Sequence, residues 1–278
     1  MPDQARHDDW KTFYDAINFA GNNLLRPMRR FFIEPDQLDS ASAVIEGTDA
    51  RHIRTVLRSK PGDEIFLFDG RGTDYRSRIL EVTTQGIYLQ VLDQFPSAAE
   101  SPIHITIGQA LIRTQKMDRF VRQFTELGGS AFVPFWAKRS TVKPDADRCQ
   151  KKRHRWEKIA TESLKQCGRS RVPDIQPVRS FQDMLSSSGD YDLRLIFHNN
   201  TDARSLAYLA ENPKTPRRIL ALVGPEGGFT AEEVVLAKEK GFTVCHMGPR
   251  LLKSDTAGIA VLTLIQHRFG DLANSKIA

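Results

Sequence analysis

The chain has 278 residues, 40% hydrophobic and 27% charged, with a formal net charge of +6, enough for one large or two moderate globular domains with a sizeable core. No apolar stretch reaches the length of a membrane span, and the polar start Met1–His7 lacks the layout of a secretory signal, so a cytoplasmic protein is expected. Cys149, Cys167 and Cys245 are widely separated with no Cys-x-x-Cys spacing, which argues against a disulfide frame or a zinc site; no metal is expected.

Taken in order, residues 1–27 read as an N-terminal extension in which Trp10, Phe13, Tyr14 and Ile17 have helical spacing and Gly21 provides a stop. Residues 28–95 are punctuated by Gly, Pro and Asp between short apolar runs, such as Glu64–Phe68, Tyr75–Leu80 and Ile87–Leu92, and predict a small β-barrel. One helix, about Ala50 to Arg58, interrupts it with a basic face. The segment 96–102, Pro-Ser-Ala-Ala-Glu-Ser-Pro, reads as a linker.

From 103 to 278 strands and helices alternate. Strands are expected at Ile103–Gly108, Phe132–Phe135, Leu193–Phe197, Ile219–Val223 and Thr243–Met247, with helices through Phe120–Leu127, Asp147–Gln166 and Thr256–Arg268. This alternation predicts an α/β domain with a mostly parallel sheet covered on both faces.

Two glycine-rich turns stand out: Gly224-Pro225-Glu226-Gly227-Gly228, and Met247-Gly248-Pro249-Arg250-Leu251-Leu252 running into Lys253-Ser254-Asp255-Thr256. Each follows a strand and precedes a helix, and Thr230 with Glu233 forms a capping box. Glycine lets backbone groups come close to a ligand. The Walker pattern is absent, as is the Gly-x-Gly-x-x-Gly fingerprint. A plain strand-to-helix turn remains the alternative for either turn alone. Ligands of such sheets sit beyond the carboxyl ends of the strands, where both turns and His198-Asn199-Asn200 fall.

Charge is uneven: Leu111–Ile175 holds 16 Lys/Arg against seven Asp/Glu, leaving the rest of the chain net acidic. Basic side chains on several elements suit a polyanion backbone better than one charged helix does, although a solvated face is the simpler alternative.

Short motifs then recur in a fixed order: Arg29-Arg30-Phe31-Phe32, His52-Ile53-Arg54-Thr55-Val56-Leu57-Arg58, Pro61-Gly62-Asp63, Phe68-Asp69-Gly70, Lys116-Met117-Asp118, Thr125-Glu126-Leu127-Gly128, Gln166–Pro173 and the two glycine turns. On these, over about residues 28–272, the chain resembles the bacterial 16S rRNA uracil-N3 methyltransferases of the SPOUT superfamily. The resemblance implies an N-terminal PUA-like barrel for RNA and a C-terminal α/β domain with a trefoil knot. It also implies S-adenosylmethionine as cofactor, a homodimer, and 3-methyluridine in 16S rRNA of the assembled small subunit as product.

On this resemblance the expected cofactor-binding residues are His198, Gly224, Pro225, Glu226, Gly227, Gly228, Met247, Gly248, Leu251, Leu252 and Thr256. Glu226 and Asp255 are the candidate catalytic acids. Arg29, Arg30, Arg54, Arg58, Arg113, Lys116, Arg122, Arg139, Arg169 and Arg171 are the candidate RNA contacts. The chain departs from the family pattern with Lys253 for arginine, Asp255 for glutamate, and Lys165 for an acid before the Gln-x-x-x motif. The readings kept beside this one are a SPOUT enzyme for another RNA and a non-catalytic ribosome-assembly protein.

Overall fold

The computed structural model describes residues 29–141, 145–199, 203–205 and 216–273. The helix expected around Trp10–Ile17 lies outside the described residues. Elements run β1 (Arg30–Phe32), a 3-10 turn (Pro35–Gln37), β2 (Ser42–Ile45), α1 (Gly47–Thr55), β3 (Glu64–Phe68), β4 (Thr73–Val82) and β5 (Ile87–Pro96). They continue with β6 (His104–Ala110), α2 (Thr114–Glu126), β7 (Ala131–Trp136), α3 (Ala146–Cys167), β8 (Asp174–Ile175), β9 (Arg179–Ser180) and α4 (Phe181–Ser186). The last are β10 (Leu193–Phe197), β11 (Arg204–Ser205), β12 (Arg218–Val223), α5 (Ala231–Glu239), β13 (Thr243–His246) and α6 (Ser254–Phe269).

The first five strands form one sheet in the order β1-β3-β4-β5-β2, parallel only between β1 and β3. Register shifts between β4 and β5, at Arg76/Ser77 and Ile79/Glu81, curl it. It is a half-barrel, open between β1 and β2, with α1 closing its apolar side through Ala50 and Ile53.

The second sheet has eight strands, in the order β11-β13-β10-β12-β6-β7-β8 with β9 beside β7, and every pairing is parallel. Alternate residues of its strands serve opposite faces, as the pleat requires. Ile219, Ala221 and Val223 join the core under α2, α3 and α6, with Phe120, Trp156 and Val261. Leu220 and Leu222 join the other core, with Phe181 and Val234 of α4 and α5. The chain places β12 between β10 and β6, so strands distant in sequence meet at the centre, and the loops after β6, β12 and β13 emerge at one end.

The helix ends are written locally. Asp145 caps α3 by accepting from the Arg148 N–H at 2.9 Å, and Gly168 ends it in the left-handed region at φ 83°. The capping box at Thr230 and Glu233 starts α5. The short β2, β8, β9 and β11 and the single-turn-plus helix α4 escape the apolar patterning because they offer too few residues to show a period.

The two sheets meet at a polar junction that overturns two of the expected RNA contacts. Arg30 reaches Asp74 at 2.7 Å, the Gly168 carbonyl at 2.8 Å and the Ser170 hydroxyl at 2.7 Å, and its side chain is only 9% exposed. Arg169 is buried; it donates to the carbonyls of Thr125 and Gly129 and pairs with Glu100 at 3.0 Å. Neither guanidinium can reach a nucleic acid without leaving these partners, so both are structural clasps rather than RNA contacts. Burial pushes the Asp74 carboxyl above its usual range, with Arg30 and Ser170 pulling it back. Lys165 spans the same junction, 3.0 Å from Asp49 of α1 and 2.8 Å from Glu162.

Candidate cofactor and RNA-binding site

The two glycine turns sit side by side at the carboxyl end of the second sheet. In the first, the Gly228 N–H donates to the Pro225 carbonyl at 2.9 Å and Gly228 takes φ +67°, with open space where a side chain would begin. In the second, the Gly248 N–H donates to His246 Nδ1 at 3.1 Å, and Gly248 takes φ +86°, again facing open space. Positive φ explains the residue type, and the open side leaves backbone free to approach a ligand.

A pair of residues absent from the expected site ties the turns together. Ser254, the first residue of α6, donates its hydroxyl hydrogen to the Gly224 carbonyl and accepts from Gln109 Nε2 at 2.7 Å. Ser254 is 5% exposed and Gln109 fully buried. Gly258 makes room for this amide: a Cβ there would lie 2.5 Å from Gln109 Oε1 and 2.7 Å from the Phe120 ring. The available signal was a glutamine just past Ile105 and Ile107 in a strand running into the core, since a buried polar group demands partners.

Between the turns is a cavity of about 400 Å³. His198, Gly224, Pro225, Glu226, Gly227, Gly228, Met247, Gly248, Leu251 and Leu252 all line it, together with Arg139 and Ser254. Thr256 is not part of the lining and is exposed on the first turn of α6. Leu251 is 86% exposed, so an apolar side chain stands free at the mouth. Arg139 folds over the first turn, donating to the Gly227 carbonyl at 3.0 Å. Burial lowers the His198 pKa from its usual value, and the neighbouring Arg139 charge lowers it further, both favouring the uncharged ring.

The two candidate acids converge on one cation. Lys116 Nζ stands 3.5 Å from Asp255 Oδ1 and 4.0 Å from Glu226 Oε1. The lysine comes from the first turn of α2, directly after β6; Glu226 comes from the first glycine loop and Asp255 from the first turn of α6, just after the second. All three groups are about one-fifth to one-third exposed, at the rim of the cavity.

Of the other expected RNA contacts, Arg113 and Arg122 are exposed at the start and on the outer face of α2. Arg29 and Arg54 lie on the first sheet's domain and are partly engaged, with Ser59 Oγ at 2.8 Å and the Thr83 carbonyl at 2.6 Å. Arg58 is exposed and holds φ 51°. On α3, Arg155 is taken by Asp118 and Arg153 by Glu157, while Arg148, Lys151 and Lys158 are exposed. Among the described residues no group of three or more His, Cys, Asp or Glu side chains could hold a metal ion, and no helix is long and apolar enough to cross a membrane.

Glycine loops at the carboxyl end of a parallel sheet, flanked by cations and joined to a curled β-sheet domain, suit a small-ligand pocket beside a surface for a polyanion. The family model described as the RNA methyltransferase domain matches residues 99–266, and the RNA methyltransferase PUA domain model matches 45–92. The chain is 33% identical over 248 residues to the ribosomal RNA small subunit methyltransferase E of Bacillus subtilis, covering 87% of this chain and 97% of that one. The structure of the Neisseria gonorrhoeae ribosomal RNA small subunit methyltransferase E bound to S-adenosyl methionine superposes with a TM-score of 0.78 at 30% identity, over 88% of this chain and 99% of that one. A putative methyltransferase from Legionella pneumophila in complex with SAM does so with a TM-score of 0.79 at 27% identity, over 89% and 100%. The chain belongs to the ribosomal RNA small subunit methyltransferase E family.

Proposed function

We propose that the protein transfers a methyl group from S-adenosylmethionine to N3 of a uridine in 16S rRNA of the small ribosomal subunit. The observation that carries this reading is the convergence of Glu226 and Asp255 on Lys116 at the rim of a cavity walled by both glycine turns. The cavity suits the cofactor: the open sides of Gly228 and Gly248 expose backbone, Leu251 and Leu252 offer an apolar surface for a flat ring, and Glu226 supplies negative charge for a cationic centre. When bound, the cofactor supplies an electrophilic methyl group on a sulfonium.

Uracil N3 carries a proton and lies on the pairing edge, so the base must be presented unpaired. Glu226 or Asp255 accepts that proton, freeing the N3 lone pair. Lys116, already between the two carboxylates, turns its donors to the uracil oxygens, where negative charge collects. Most of the acceleration comes from holding the two reactants in line, which is the task of the glycine loops and of the Gln109–Ser254 tie beneath them.

In this reading residues 28–95 form the RNA-binding unit, 96–102 the linker and 103–278 the catalytic domain, with 1–27 an extension. Arg113, Arg122 and Arg139 hold RNA beside the cavity, while Arg29, Arg54, Arg58 and Arg171 track its backbone further away. The exposed Leu251 at the mouth supports a homodimer whose second copy covers it, and a ribosomal substrate supports a cytoplasmic location. The test is mass spectrometry of 16S rRNA from cells lacking the gene and from cells complemented with it. Methylation at N3 of uridine should disappear and return; unchanged 3-methyluridine in the deletion would remove the assignment.

A further inference from the structure

Far from the cofactor loops, the turn after β3 and the segment after α3 pair in an isolated antiparallel bridge in which Arg71 faces Arg171. The flanking bonds are Gly72 N–H to the Ser170 carbonyl at 3.1 Å and Val172 N–H to the Gly70 carbonyl at 2.9 Å. Bonds made by the neighbours rather than by the pair itself mark the narrow kind of pairing, in which facing side chains come closest. Both arginines are exposed, and among the described residues neither guanidinium has a hydrogen bond or an ion pair. Two like charges so placed repel each other, so a bridge needed only to join domains would be better made without them.

Both arginines border a cavity of about 610 Å³ between the domains, which also has Ser101, Ser130 and His104 in its wall. Of its carboxylates, Glu100 accepts from the backbone N–H groups of Ser170 and Arg171 and from Arg169, while Asp174 is exposed and accepts from Gln176 through one oxygen. His104 Nδ1 is buried there without a partner. Gly72, at φ +107°, leaves the place for the Arg171 guanidinium, since a Cβ would stand 2.9 Å from its Nη2.

We propose that Arg71 and Arg171 form a clamp for one phosphodiester of the RNA substrate, straddling the two domains. This rests on the RNA methyltransferase reading above. An anion between the guanidiniums converts their repulsion into two charge-assisted, fork-shaped contacts, and a phosphate needs no particular base beside it. His104 begins β6 at this cavity and Gln109 lies near its other end beneath the glycine loops, about 17 Å away at strand rise. The clamp therefore governs how RNA is held, not the transfer of the methyl group.

The experiment uses the full chain and small ribosomal subunits from a strain lacking the methylation. Binding is measured across a salt series for wild type, Arg71→Gln, Arg171→Gln, Arg71→Lys and the double glutamine variant. Each glutamine variant should weaken binding about tenfold and reduce the slope of log affinity against log salt by about one. The double variant should be little worse than either single one, because both arginines share one phosphate; Arg71→Lys should keep most of the slope. Affinity for S-adenosylmethionine should not change, the loss of activity should appear in KM for subunits, and melting temperature should hold or rise as the repulsion is removed. Wild-type affinity and slope in the double variant would overturn the clamp. So would a rise in melting temperature with millimolar inorganic phosphate, lost in the double variant, if subunit binding were the same in both; the site would then serve a free anion. Slope changes as expected in a wild-type protein that transfers no methyl group would retain the clamp and remove the function proposed above.

Discussion

The junction between the two sheets and the loops around the cofactor cavity use similar polar side chains to opposite ends. At the junction, Arg30, Asp74, Ser170, Glu100 and Arg169 are bonded to one another and mostly buried, with Arg30 Nε left without a partner. At the cavity, Lys116, Glu226 and Asp255 sit at looser distances and partly exposed. Groups so bonded are costly to disturb and leave little bonding capacity for a ligand. Loosely paired ones can change partners when a base and a methyl donor arrive. The same residue types therefore make a hinge-free seam in one place and a reactive rim in the other.

Breaking one partner of the seam should give the largest effect. Arg30→Ala leaves Asp74 buried without its cation and should cost about 3–5 kcal/mol, read as a lowered denaturant midpoint. S-adenosylmethionine affinity of the fraction still folded should be near normal, because the seam does not touch the cavity. At the rim, Gly227→Val should act in the opposite sense. Its Cβ would begin 3.1 Å from Arg139 Cβ, so the branched side chain must displace the loop or enter the cavity. Calorimetry should show S-adenosylmethionine affinity falling by roughly a hundredfold, equivalent to about 1–3 kcal/mol of overpacking, with little change in melting temperature.

Ser254→Ala sharpens the contrast, since it removes the tie from below rather than crowding the cavity. It strands the Gly224 carbonyl and leaves Gln109 Nε2 only its longer bond to the Ala110 carbonyl at 3.3 Å, and should lower stability by about 1–2 kcal/mol and weaken cofactor binding together. A variant that lost stability alone would show that the turns are aligned by other means. The smallest effect concerns pH. Burial, then the Arg139 charge, lowers the His198 pKa from 6.5, so the unfolded chain takes up that proton first on acidification. The contribution of His198 to stability should be complete above about pH 6.5 and decline below it through the lowered value. His198→Gln should flatten that part of the stability profile, as followed by thermal melts between the ordinary histidine and carboxylate ranges.

Much of the architecture was legible because it is local. Strand-to-helix alternation, the capping box at Thr230 and Glu233 and the glycine turns depend on neighbours within a few residues. The basic stretch was legible only as composition. Which of its cations are free was not, because Arg155 is neutralised by Asp118, 37 residues away, and Lys165 by Asp49, 116 residues away. Lys165 also explains one departure from the family pattern: it stands where an acid is usual and finds Asp49 opposite it, across the junction.

The sequence by itself determined the fold class, the ends of the main helices and the two turns between which a ligand fits. These follow from backbone preferences and apolar periods that each short segment carries alone. Only the tertiary structure decided that Arg30 and Arg169 are clasps, that Gln109 and Ser254 lock the turns, and that Glu226 and Asp255 share Lys116. A side chain's role depends on which groups packing brings within hydrogen-bond reach, and those groups come from strands and helices far apart in the chain.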